Sequence, residues 1–439
     1  MAAVLHITNA VVVTCDSTDR ILPGATITCV DGIITAVSPD GASIGVGETL
    51  DAGGGIVLPG LINAHAHLAM TLLRGIADGR DLDGFLATVL PIEGALLSGD
   101  TVGVGSELAS VECLRAGITS ALDMYFFPEA AMAAGDRVGL QIHSGPVFIS
   151  FPGPDDRVWH DRLSWAKEWL DGAEASSRWV CPHSTYLLTE TELREVGLLA
   201  DKTSARIHVH AAETRAEMAQ VAALYGGRTP VKVLADVGLL NDRTVLAHGV
   251  HVTEEDIALI ASAGAHVVHN PASNAKLASG LAPVRRLLDA GINVALGTDG
   301  SASANDLDLW MAMRLAAFVA SAVHDNPAEL SANELVRMAT INGAKALGRA
   351  SELGSVEVGK RADLVIMDPT SAAMQPSYDA TSSLAFAASR ADVRDVLVKG
   401  ELVVGAGRVL RHDVALGRAV AQIAERVQQL RTEPCGGPT

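Results

Sequence analysis

Between Leu61 and Gly300 the chain alternates short apolar runs with amphipathic helical stretches, and this repetition restricts the fold more than any other feature. The candidate strands are Leu61–Leu68, Gly117–Tyr125, Leu140–Phe148, Trp179–Ser184, Arg206–Glu213, Thr244–Val250, His266–Pro271 and Asn293–Gly300. The helices between them carry terminus signals. Thr189 and Glu192 form a capping box, Thr229-Pro230 puts proline at the start of a helix, and Thr253 opens another that stops at Gly264. A further helix runs from about Pro283 to Gly291. This repetition over roughly 240 residues predicts an α/β fold, a (β/α)8 TIM barrel with its ligands at the C-terminal ends of the strands.

The flanks read differently. Residues 3–57 and 361–410 hold short β-branched runs broken by turn residues, such as Leu5–Thr14, Ala25–Val30 and Ala362–Met367. They predict a small composite β-sandwich built from both ends of the chain. The expected boundaries are 1–58 and 359–412 for the two parts of that domain, 59–358 for the barrel, and 413–439 for a C-terminal helix and tail. The last residues, Glu433–Thr439, are expected to fray.

At 439 residues with 49% hydrophobic side chains, the chain can bury a sizeable core. A net charge of −18 repels phosphate backbones and anionic lipid heads, so neither nucleic acid nor membrane is expected as a partner. No uninterrupted apolar stretch is long enough to span a bilayer, and Met1–Val13 lacks the basic region of a signal peptide; a cytoplasmic location is expected. Cys15, Cys29, Cys113, Cys181 and Cys435 are scattered and never form Cys-x-x-Cys. They are read as reduced core residues rather than as disulfides or zinc ligands.

The histidines are placed more tellingly. His65-Ala66-His67 ends the first strand, and the period of two sets both imidazoles on one face, where they can share a metal ion or form a hydrogen-bonded core pair. Three further strand ends carry ligand-type residues: His208-Val209-His210 with Glu213, Ala247-His248, and Gly297-Thr298-Asp299-Gly300. In a barrel these ends converge on one pocket. Nitrogen and carboxylate donors suit zinc, and iron(II) accepts the same set. Spacing alone leaves open which metal is bound and whether His208 or His210 is the ligand.

Longer motifs surround these residues. Pro59-Gly60-Leu61-Ile62-Asn63-Ala64-His65-Ala66-His67, Pro182-His183-Ser184, His210-Ala211-Ala212-Glu213, His269-Asn270-Pro271-Ala272-Ser273-Asn274 and Gly297 to Ser303 together resemble the amidohydrolase superfamily. The resemblance lies in the branch with chlorohydrolases, guanine deaminase and the methylthioadenosine/S-adenosylhomocysteine deaminases, and is nearest the last. It spans nearly the whole chain.

The resemblance implies metal ligation by His65, His67, His210 and Asp299, acid-base roles for Glu213 and His248, and a substrate contact from His183. Many related barrels bridge two metals with a lysine on the fourth strand. Here that strand, Trp179 to Ser184, has none, so one divalent ion is expected, zinc first and iron(II) second. Such an ion can lower the pKa of water from ~15.7 to ~7, roughly 12 kcal/mol, against roughly 3 to 5 kcal/mol from a positioned acid or base. The implied reaction is hydrolytic deamination. His248 and Asp299 orient and deprotonate the attacking water, and Glu213 protonates the ring nitrogen beside the amine-bearing carbon.

Substrate selection lies in the loops. Relatives hold ribose with an acid in a Glu-Trp-Leu segment, where this chain has Asp81-Leu82-Asp83-Gly84-Phe85-Leu86; Asp83 is the candidate replacement. Arg157 is the candidate partner for a homocysteine carboxylate, and Ser301 a further pocket residue. The expected small-molecule partner is an aminated heterocycle: adenosine-type nucleosides first, then free bases such as guanine, 8-oxoguanine or cytosine, pterins, and triazines. A non-catalytic metal-binding scaffold and a two-metal cyclic-amide hydrolase are the competing readings. A homodimer or homotetramer is expected by analogy alone.

Overall fold

The computed structural model describes residues 3–39, 45–174, 177–412 and 415–432; Cys435 and the Glu433–Thr439 tail lie outside them. The eight expected strand regions form parallel strands, in order Leu61–His67, Ile118–Asp123, Gln141–His143 with Val147–Phe148, Trp179–Pro182, Arg206–Ala211, Thr244–His248, His266–His269, and Asn293–Leu296 with Asp299–Gly300. The third and eighth are each split, and the split decides what they bond. Gln141–His143 pairs with the second strand and Val147–Phe148 with the fourth. Asn293–Leu296 pairs with the seventh, while Asp299 and Gly300 pair with Ala66 and His67 of the first, closing the ring.

A closed parallel sheet is buried on both faces, so its strands read as nearly continuous apolar runs. In the fifth strand Ile207, Val209 and Ala211 pack outward against the helices, while His208 packs inward against Trp179. Ile62, Leu122, Val245 and Val268 help fill the inner face. Gly297 has no space for a side chain: a Cβ there would stand 2.4 Å from Asn270 Oδ1 and 2.9 Å from the His65 carbonyl oxygen. That glycine lets the eighth strand approach the first where the histidines lie.

The helix termini follow the sequence signals. Thr189 accepts from the Glu192 amide, and Glu192 accepts from the Thr189 amide at 2.7 Å. Thr253 forms the same box with Asp256, and its helix ends at Gly264 with φ of 69°. Such a cap is worth about 1 kcal/mol.

The two flanking segments build one nine-stranded sheet. Leu364, Val365 and Ile366 pair antiparallel with Pro59, Leu58 and Val57, which joins the C-terminal part to the N-terminal part. Alternation sorts their side chains: Val57, Leu364 and Ile366 enclose the domain's own core with Ile7, Val12 and Ile27, while Leu58, Val365 and Met367 join the core shared with the barrel helices. The helix Leu416–Thr432 then packs back onto Leu82–Leu96 and Gly99–Arg115. Its residues Ile423, Val427 and Leu430 fall on one stripe and meet the cluster containing Phe85 and Val89. Among the described residues no single helix is long and apolar enough to cross a membrane.

Candidate functional site

The strand ends gather His65, His67, His210, His248 and Asp299 at the buried end of a cavity of about 600 Å³. Two overlapping groups, His65 with His210 and His248, and His65 with His67 and Asp299, each have donor atoms within 4.8 Å of one another.

The hydrogen bonds on the far side of each ring fix what faces the centre. His67 Nδ1–H donates to the Met124 carbonyl at 2.7 Å, and His210 Nδ1–H donates to the His183 carbonyl at 2.8 Å. In the neutral tautomers both Nε2 atoms are then unprotonated, and they stand 3.2 Å apart. Two lone pairs held face to face repel unless a cation lies beside them. His65 Nε2 is buried with no hydrogen-bond partner, 3.4 Å from Asp299 Oδ1, and His67 Nε2 lies 3.2 Å from that same oxygen. An orphaned buried nitrogen, paired imidazole acceptors and a carboxylate fit a divalent metal ion.

The charges agree. Burial holds His210 well below the ordinary imidazole value. Burial works against the His67 imidazolium too, but the Asp299 carboxylate outweighs it and raises His67 to about 9. Asp299 stays well below the usual carboxylate range despite burial, because the His65 and His67 imidazoles lie against it. In the metal-free chain a proton therefore occupies the ground a cation would take.

Backbone strain aims two of these groups. By the alternation of the sixth strand, His248 shares its side with Leu246, which packs into the outer core. A φ of 76° at His248 turns its ring into the site, where Nε2 lies 3.7 Å from Glu213 Oε2 and Nδ1 lies 2.9 Å from Asn274 Oδ1. Asp299 has φ of 61°, and its Oδ2 accepts from Ser273 Oγ at 2.5 Å. Non-glycine residues at positive φ cost of order 1–3 kcal/mol and cluster at functional sites. Burial raises the Glu213 carboxyl above its ordinary value.

His208 and His210 are told apart by their depth. His208 Nε2 lies 2.8 Å from His65 Nδ1, behind the first-strand histidine, whereas His210 faces the centre. His183 lines the cavity, its ring 4.6 Å from that of His210.

The other expected contacts are placed elsewhere. Asp83 is exposed and lines a neighbouring groove with Thr214, Arg215 and His251, not the cavity itself. The Arg157 guanidinium pairs with Asp155 at 3.0 Å and lies over the Trp165 ring at 4.2 Å, which turns it from the cavity. Ser301 is fully buried with its hydroxyl unpartnered, and Ser303 lines the cavity instead.

Sequence reasoning names Ser273 and Asn274 only within the His269–Asn274 motif, and the structure sets both behind the site, on the helix Pro271–Lys276. It passed over Glu217, whose carboxylate accepts from the Ala212 and Glu213 amides at 3.1 and 2.6 Å and so fixes the backbone under Glu213. It also passed over Glu93, a buried cavity residue whose carboxylate accepts from the Tyr125 hydroxyl.

Residues 56–403 match the model of the amidohydrolase family. A 5-methylthioadenosine/S-adenosylhomocysteine deaminase of Halobacterium salinarum is 41% identical over 427 residues, covering 94% of this chain and 97% of its own length. Its counterpart in Haloarcula marismortui is 42% identical over 380 residues, 85% and 86% of the two chains. Among solved structures, a zinc-bound adenosine deaminase of Xanthomonas campestris superposes with a TM-score of 0.92 at 35% identity, covering 97% of this chain and 98% of its own. An atrazine chlorohydrolase of Arthrobacter aurescens complexed with zinc gives 0.87 at 27%, covering 97% and 100%.

Proposed function

The chain belongs to the amidohydrolase family, and on that premise we propose that it hydrolytically deaminates an adenosine-type nucleoside, releasing ammonia. The observation that carries the reading is the convergence of Glu213 and His248 on a buried set of imidazoles and one carboxylate, at the closed end of a cavity large enough for a nucleoside. The relatives named above as deaminases of such nucleosides support it.

His65, His67, His210 and Asp299 would hold one divalent ion, with zinc as the ion of choice. Bound there, the ion supplies Lewis acidity and a water acidified toward neutral pH. The side chains handle the protons. With Nδ1–H donating to Asn274, His248 keeps Nε2 as an acceptor and takes a proton from the attacking water, and Asp299 orients that water. Glu213, whose carboxyl burial raises above its ordinary value, delivers its proton to the ring nitrogen beside the amine-bearing carbon. His248 hands the proton it took to the amine, the carbon–amine bond breaks and ammonia leaves, and the hydroxyl proton returns to Glu213 while the ring carbon keeps the oxygen. His183 contacts the ring from the fourth strand.

An ammonia-coupled assay across adenosine, methylthioadenosine, S-adenosylhomocysteine, guanine, 8-oxoguanine, cytosine, pterins and aminotriazines tests this. Ammonia from at least one adenosine-type nucleoside, abolished by a chelator, is the expected result. Turnover confined to free bases or triazines overturns it.

A further inference from the structure

Away from the metal ligands, the cavity is built from a different kind of residue. Its wall is supplied by Phe85, Leu86 and Val89 of the helix Leu82–Leu96 and by Ile149 and Phe151 after the third strand. Its exposed rim carries Leu90, Phe151 and Asp156. Among the described residues that line it there is no lysine or arginine.

The two arginines nearest in sequence to that rim are already engaged. Asp155 pairs with Arg157 at 3.0 Å and with the buried Arg162 at 2.8 Å, so one carboxylate holds both guanidinium groups. Arg162 also donates to the Val147 and Arg157 carbonyls at 3.2 and 3.1 Å, which locks it in place. The next residue, Asp156, turns out at φ of 54° and presents a carboxylate at the cavity rim instead.

A substituent reaching from the reactive ring toward the mouth therefore passes apolar side chains and meets a negative charge. A neutral thioether tail gains by covering that wall. A tail ending in an amino acid must lose part of its hydration against apolar groups; Asp156 can pair with its ammonium, but no lysine or arginine among the described lining residues receives its carboxylate.

We infer that this chain selects an adenosine-type nucleoside with a small, neutral, apolar 5′ substituent over one whose 5′ substituent carries an amino-acid carboxylate. The inference rests on the deaminase reading above and narrows its substrate class. It separates two compounds that the names of the archaeal relatives join.

The test is ammonia release by the purified, metal-replete full chain from methylthioadenosine and from S-adenosylhomocysteine. The expected result is a kcat/KM for methylthioadenosine at least tenfold higher; any smaller ratio overturns the selection. Ammonia from neither nucleoside would instead overturn the deaminase reading itself, so the two failures are distinguishable. Phe151→Arg places a cation at the rim on an exposed residue. It should reduce the ratio at least threefold by raising kcat/KM for S-adenosylhomocysteine relative to the other substrate, and an unchanged ratio overturns the placement of the tail at this rim.

Discussion

Asn274 Oδ1 lies 2.9 Å from His248 Nδ1, on the opposite side of the ring from Glu213. A carboxamide oxygen at that place accepts from Nδ1–H, and in that tautomer the nitrogen facing the reaction is the one able to accept a proton. Asn274→Ala frees the ring to rotate and to change tautomer. Loss of such an orienting partner typically costs 10- to 100-fold, and here kcat should fall by about that factor while metal content stays at the parent level. Steady-state kinetics with metal analysis checks both parts. Loss of the metal instead would show that His248 serves as a ligand.

Glu213 touches none of the proposed ligands closely enough to hold the ion. Glu213→Gln should lower kcat/KM by roughly 10² to 10⁴ and leave metal content unchanged. Full deaminase activity in that variant would remove the residue from the proton pathway.

Paired imidazole acceptors and one shared carboxylate oxygen make a single centre. One equivalent of divalent metal per chain is expected by elemental analysis, with activity abolished by a chelator and restored by zinc. Two equivalents would point to the competing cyclic-amide chemistry.

His143 sits in the third strand with its Nε2 buried and unpartnered, and burial lowers its pKa to about 3. The unfolded chain takes up a proton there near the ordinary imidazole value of about 6.5, and the folded chain does not. The folded state is therefore unpenalised above that value and loses stability as pH falls from about 6.5 toward 3. The slope is about 1.4 kcal/mol per pH unit for one such group. His143→Gln should flatten the acid side of the stability curve by roughly that slope, read by urea unfolding between pH 7 and pH 5.

The chain made its strands and helix caps legible because both are local. Apolar runs, His-x-His spacing, the Thr189–Glu192 box and the helix opened by Thr253 and stopped at Gly264 act over a few residues, and the structure realises each of them. What depended on distant neighbours was less readable. His208 and His210 share a parity on one strand, and only the first strand behind them separates their roles. His248 has the outward parity of Leu246, and a left-handed backbone that no single-residue preference announces brings it in. Arg157 is a free cation by residue type alone, and Asp155, two positions away, claims it.

Val427 is the buried residue of the helix Leu416–Thr432, and that helix presses on the helix whose Phe85 and Val89 form the cavity wall. Val427→Ala should cost about 2 kcal/mol in stability and raise KM more than it lowers kcat, because it loosens a wall and not the reacting groups. Urea unfolding and steady-state kinetics together check this.

That brace has a consequence for biogenesis. Every proposed metal ligand is synthesised by Asp299, yet the strand that completes the sheet beside Pro59 arrives at Leu364, and the segment that backs the substrate wall only from Leu416 onward. The residues that would hold the ion are therefore made more than a hundred positions before the brace of the compartment around them, and a truncation that spares every proposed ligand still removes part of that compartment.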